Sequence, residues 1–352
     1  MKRNTFLFFA VSMMAFFMVS CDDPKPDDEA MSFDAWLLNE GSWGGNNASL
    51  CTLNTATGEL NEHVFMQVNG RGLGDLAQDA IHYGDKLYVA VSESNTIEVV
   101  DAKTGKSLKQ INMGNRYPRY MAASDGKVYV SCYTPHSVVR IDTASFLIEA
   151  TCQLSDRMQP EQMCIEDDKL YVCCSWESDS TGAFFYDNRL AVVNLTDFSY
   201  SQSLEVGYNL NRIKSLGNGK VCVGYQGDYT ANPSGTLLLD CATGALTPLS
   251  IALTNFDVYQ GKIYGYATEY TEDYSTITAF YQVDCATGSA TPILTGYSIP
   301  NAYGINVNPH TGDLYVCDSP YGANGDVYCF ASDWTLRYKV GAEVYPSKLL
   351  FL

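Results

Sequence analysis

The chain has 352 residues, with 40 Asp and Glu against 22 Lys and Arg, a formal charge of −18. So acidic a body repels phosphate backbones, which excludes nucleic acid as a partner. With 25 Tyr, 15 Phe and 28 Gly, and no long helical period of apolar residues, the composition is that of strands.

At the N-terminus, Lys2 and Arg3 precede an almost unbroken apolar run from Phe6 to Val19. The run is shorter than the roughly 20 residues of a spanning helix and has the length of a signal-peptide core. It ends in Met18-Val19-Ser20-Cys21, which resembles the bacterial lipobox. Residues 1–20 are therefore expected to be a signal peptide and Cys21 the lipidated residue, with the lipid as the only membrane attachment. Residues 21–33, with Asp22, Asp23, Asp27, Asp28 and Glu29, are too polar to bury and are expected to form a disordered acidic tether. The tether is similar to the export signal of lipoproteins displayed on the outer-membrane surface, the location expected for this chain.

Residues 34–352 form the body, and internal repetition governs it. A turn followed by Lys or Asp, an aliphatic, Tyr, and Val or Gly occurs at Asp85 to Val89, Gly126 to Val130, Asp168 to Val172, Gly219 to Val223, Gly261 to Gly265 and Gly312 to Val316. A degenerate first copy lies at Asp34 to Leu38. The central positions are Trp36, Tyr88, Tyr129, Tyr171, Cys222, Tyr264 and Tyr315, spaced by 52, 41, 42, 51, 42 and 51 residues. After each comes a second phrase, clearest at Asn54 to Gly58, Asp101 to Gly105, Asp240 to Gly244 and Asp284 to Gly288, with weaker copies from Asp142, Asn194 and Phe330. Asp or Asn before Thr-Gly is hairpin-turn chemistry.

Within the second copy the strands are predicted at Gln78 to Tyr83, Lys86 to Ser92, Thr96 to Asp101 and Ser107 to Met113. Seven such units predict an all-β, seven-bladed β-propeller with four antiparallel strands per blade. The first copy begins at its second strand, and Ser347 to Leu352 aligns with the first strands of other copies. The C-terminal strand is therefore expected to complete blade 1 and close the ring. The eleven cysteines beyond Cys21 show no Cys-x-x-Cys spacing, and Cys132, Cys173, Cys174 and Cys317 fall within apolar runs. They read as small buried hydrophobes, with one or two disulfides left open.

In a four-strand meander, the connections between strands two and three and the links between blades share one face. Length variation is concentrated there, at Ser175 to Asn188, Gln226 to Ser234 and Thr268 to Thr276, and insertions on one face mark it as the binding face. These segments carry Trp43, Asn46, Tyr133, Trp176, Tyr229, Tyr270 and Tyr321, and the links add Arg71, Arg116, Tyr117, Tyr208, Arg212, Tyr303 and Tyr345. Amphipathic aromatics and Arg dominate gripping surfaces, so these residues are the candidate ligand contacts. His63, His82, His136 and His310 are scattered without metal-ligand spacing and read as structural, so neither a metal site nor a catalytic group is expected. Asp179, Asp228, Glu269 and Asp273 lack a recognisable Ca²⁺ loop and read as solvated acids.

Several stretches carry a family resemblance: Leu38 to Gly41, Asn69 to Gln78, Pro118-Arg119-Tyr120, Glu161-Gln162-Met163, Tyr303 to Pro309 and Gly325 to Tyr328. The set is similar to the YncE-like surface propeller lipoproteins of Bacteroides, most of all to their cobalamin-capturing BtuG branch. The resemblance implies a non-enzymatic protein that captures a corrinoid (cobalamin, vitamin B12) as transported ligand rather than cofactor. It also implies a partner, a BtuB-like TonB-dependent outer-membrane transporter. A surface propeller that binds glycan or protein is the alternative, and a lactonase-like hydrolase or quinoprotein is a third reading.

Overall fold

The computed structural model describes residues 33–271 and 276–352. The expected signal peptide, Cys21, nearly all of the tether and Asp273 lie outside the described residues.

A strand with apolar side chains on both faces has to be covered on both. The second strands of the repeats have this character: Lys86–Val91, Lys127–Cys132 and Lys169–Cys174 are buried at every position but the first. Neighbouring sheets supply the cover. Seven four-stranded antiparallel sheets form, each in sequence order except the first. Blade 2 is Ala77–Tyr83, Lys86–Val91, Thr96–Asp101 and Ser107–Asn112, within one residue of the expected bounds. The first strands of successive blades touch in order around an axis.

Blade 1 has three strands from the start of the body, Ala35–Asn39, Ser49–Leu53 and Leu60–Asn61, and takes its innermost strand, Pro346–Phe351, from the C-terminus. Trp36 pairs with Leu350 and Leu37 with Leu349, so the ring closes as expected. Gly304, on the first strand of blade 7, faces this closing strand. A Cβ there would stand 2.1 Å from the Ser347 carbonyl oxygen, so only glycine permits the approach.

The repeated central residue is a wedge between blades. Trp36 packs into the seam of blades 1 and 2 and donates its indole N–H to the Ala102 carbonyl at 2.8 Å. Tyr88, Tyr129, Tyr171, Cys222 and Tyr315 occupy later seams, each at most 3% exposed, while Tyr264 is half-buried at the seam of blades 6 and 7. Nearer the axis, side-chain oxygens on one blade accept backbone N–H groups from the next. Asp79 accepts Met121, Gln162 accepts Ile213, Asp257 accepts Val307, and Asn306 accepts Leu349, all at 2.8–3.0 Å. These bonds consume donors that the outermost apolar contacts cannot satisfy.

The turn phrases behave as predicted. Asp101, Asp240 and Asp284 each accept two backbone N–H groups through one carboxylate oxygen, and the following Gly has φ near +70°. The eleven cysteines in the body are all unpaired, nine of them buried. One feature lacked a helical period long enough to see: a six-residue helix, Val64–Asn69, leads from blade 1 toward blade 2 and buries Val64 and Phe65 in their seam.

Candidate functional site

Two of the three long connections are more ordered than simple loops. In blade 4 the insertion folds into a small hairpin, Trp176–Ser178 against Phe184–Tyr186. In blade 6 the second and third strands simply extend to nine residues each, Lys262–Tyr270 and Thr276–Asp284, and project the hairpin outward. Only the blade 5 segment remains a loop.

Asp179 and Asp228, expected as solvated acids, stay in contact with solvent and also cap turns. Asp179 accepts the backbone N–H groups of Thr181 and Ala183 at 2.8 and 3.1 Å. Asp228 accepts those of Thr230 and Asn232, both at 2.9 Å, and the Asn232 side-chain amide at 2.6 Å. Hydrogen bonding to the charged form holds both carboxylates below the usual range. The caps fix the segments that carry the aromatics.

Those aromatics meet across blades 4 and 5. Trp176 lies edge-on to Phe184 at 5.3 Å, Phe184 stacks on Tyr186 at 6.4 Å, and Tyr186 meets Tyr229 at 5.7 Å. The Arg157 guanidinium sits 4.1 Å over the Phe185 ring. Trp176 and Tyr229 nevertheless remain exposed, as do Phe184, Phe185 and Tyr270. These exposed rings form the main apolar cluster on the long-connection face among the described residues.

The other candidates separate into distinct places. Tyr321 is fully exposed beside Tyr345, whose hydroxyl accepts the Gly322 N–H at 2.7 Å. Trp43 and Asn46 project from the blade 1 connection. Arg71 turns inward, paired with buried Glu98 at 2.7 Å and lying over Phe65. Arg116 donates to the Met113 carbonyl at 2.8 Å, and the half-buried Tyr117 and Tyr208 take part in the links through backbone groups. Tyr133 packs under Arg119 at 4.5 Å and donates to Glu161. Arg212 and Tyr303 line the central channel.

The channel is a polar centre that the face argument missed. Its cavity of about 60 Å³ is walled by Glu40, Gln78, Tyr120, Arg212, Asn255 and Tyr303 among others. Arg119 bridges Gln78 and Glu161, the latter at 3.1 Å. Arg212 donates to Asn255 at 3.1 Å and to Tyr120 at 3.4 Å, and Asn255 donates to the Tyr303 carbonyl at 2.8 Å. The Tyr303 hydroxyl donates to Glu40 at 2.9 Å. Burial pushes the Glu40 carboxyl up to about 7, against the lowering effect of that hydrogen bond. A signal existed in the sequence: Glu40, Arg119, Tyr120, Glu161, Gln162 and Tyr303 all belong to the stretches that carry the family resemblance.

Fold and rim together define a seven-bladed β-propeller with its irregular connections gathered on one face. Over residues 34–332 the chain belongs to the family described as a domain of unknown function, DUF5074. No curated protein matches it. Among solved structures it is similar to a quinoprotein alcohol dehydrogenase-like protein of Bacteroides thetaiotaomicron, at 16% identity and TM-score 0.64, covering 92% of this chain and 79% of that one. It is also similar to the periplasmic gluconolactonase of Pseudomonas aeruginosa, at 13% identity and TM-score 0.60, covering 91% and 99%. Hydrazine synthase of Kuenenia stuttgartiensis matches at 15% identity and TM-score 0.64, covering 77% and 88%. At these identities the likeness is one of fold.

Proposed function

We propose that the chain is a surface lipoprotein that captures a corrinoid on its long-connection face and passes it to a BtuB-like TonB-dependent transporter. The observation that carries this reading is the exposed aromatic surface joining Trp176 and Phe184 to Tyr229 across two blades. A corrin is a broad disc edged with amides. It needs stacking area and hydroxyl or amide partners rather than a catalytic group, and the rim offers Trp, Tyr and Asn side chains already held in place. Preorganisation by Asp179 and Asp228 lowers the ordering cost of binding. A ligand of near-zero net charge meets little repulsion from an acidic protein.

Glu40 favours a second reading, hydrolysis of a lactone at the axis, because an acid poised near neutrality in a central cleft suits proton transfer. Against it stands the size of the cavity, about 60 Å³, where small-molecule sites typically occupy about 300 Å³ or more. Calorimetric titration of the full chain with cyanocobalamin tests the first reading. One saturating event per chain is expected; absence of heat and of any absorption change would remove corrinoid capture and leave glycan or protein binding.

A further inference from the structure

Several buried carboxylates in this protein face a permanent cation, and others, such as Glu40 and Glu166, are held by neutral hydrogen-bond donors. Asp79 faces Lys348, Glu98 faces Arg71, Glu161 faces Arg119 and Asp187 faces Arg189. Glu343, 6% exposed at the end of the outer strand of blade 7, faces only the imidazole of His63. One oxygen of Glu343 is saturated: it takes the Ser49 hydroxyl, the Cys51 thiol at 3.4 Å and the Asn39 amide at 3.5 Å. The other, Oε1, is in contact with His63 Nδ1 and takes no hydrogen bond from any other group. A buried carboxylate oxygen calls for a cationic partner, and the imidazole nitrogen that meets it here is itself a metal ligand.

The surroundings contain what such a cation requires. Donor atoms of Glu62, His63 and Glu343 all lie within 4.8 Å of one another. His63 is anchored by its backbone hydrogen bond to Cys51, while its ring remains 56% exposed. Beside the imidazole a cavity of about 140 Å³ is lined by Asn46, Asn47, Ser49, Phe65, Met66 and Leu73.

We propose that Glu62, His63 and Glu343 bind one divalent transition cation of the Zn²⁺ type. An imidazole nitrogen with two carboxylates, and a thiol close behind, select this class over Ca²⁺, which takes oxygen donors alone. Three protein ligands leave a coordination position open toward the cavity, as in Zn²⁺ sites that accept an exogenous ligand. The site does not depend on the corrinoid reading. It uses the opposite ends of the body, since Glu62 and His63 follow blade 1 and Glu343 precedes the closing strand, so the metal would also staple the ring.

The test is calorimetric titration of Zn²⁺ into the full chain after chelator treatment, with Co²⁺ as a spectroscopic probe. One Zn²⁺ per chain, a visible Co²⁺ band, and loss of both in His63→Ala are expected. His63 is largely exposed, so that variant should fold; the isosteric Glu343→Gln provides the second arm and should also lose binding. No saturable Zn²⁺ heat in the parent chain, undiminished binding in His63→Ala, or one-for-one displacement of Zn²⁺ by Ca²⁺ would each overturn the assignment.

Discussion

Replacing Glu40 by Gln isolates the electrostatics of the channel. Glu40 is 8% exposed, and its carboxyl is raised from 4.5 to about 7, chiefly by desolvation. Folding therefore favours the neutral acid. The stabilisation is fully present below about pH 4.5, where the acid is protonated in both states, and is lost as pH rises through 7. A shift of that size corresponds to about 3 kcal/mol. Gln cannot ionise, yet it retains a carbonyl oxygen to accept the Tyr303 hydroxyl, so the variant keeps the low-pH arrangement at every pH. Thermal unfolding of the full chain followed by circular dichroism from about pH 4.5 to pH 8.5 is the assay. The two proteins should melt nearly together at the acid end, and Glu40→Gln should melt about 5 °C higher at the alkaline end, the shift expected for a domain of this size. Melting curves that run parallel across the range would show that Glu40 is solvated or cation-paired, and would refute the reasoning. They would also weaken the lactone reading, which needs the same perturbed acid.

Replacing Trp176 and Tyr229 together by Ala should weaken cyanocobalamin binding on the order of 30-fold, with the melting temperature nearly unchanged because both rings are exposed; a lower melting temperature with undiminished affinity would make them packing residues. Asp79→Ala strips half-buried Lys348 on the closing strand of its partner, 2.6 Å away, and frees the Met121 N–H at the seam of blades 2 and 3. The loss should be about 3 kcal/mol, read as a drop in melting temperature, and a neutral result would deny that this pair secures the C-terminal strand.

Repetition made the fold legible. Seven copies of one strand phrase and one turn phrase, in fixed order, left a closed stack of sheets as the economical arrangement, and the first copy's missing strand announced the closure now seen between Trp36 and Leu350. The site was less visible because exposure and pairing are tertiary quantities. Trp176 and Tyr229 were recognisable as loop aromatics, but the same argument included Arg71, whose charge is taken up by Glu98, and Tyr133, which lies against Arg119. Local composition is identical in the two cases. Asp179 and Asp228 read as free acids because a carboxylate shows its use only once the neighbouring amides turn toward it. His63 and Glu343 are separated by nearly the whole body, so no motif spacing could join them; ring closure does.

Closure also bears on where a ligand can be held. The first strands crowd polar side chains toward the axis, and most of their groups pair with one another: Arg119 with Gln78 and Glu161 through its terminal nitrogens, Arg212 with Asn255, Lys348 with Asp79. A network so satisfied resists rearrangement, because admitting a large ligand would strand several buried charges at once. The rim has the opposite character. Its aromatics are fixed from below by Asp179 and Asp228 but make few contacts above, so a flat ligand covers them without breaking an existing pair. On the proposed reading a broad ligand would be held across the rim at blades 4 and 5, and a mutation that opens the axis should change stability before it changes affinity.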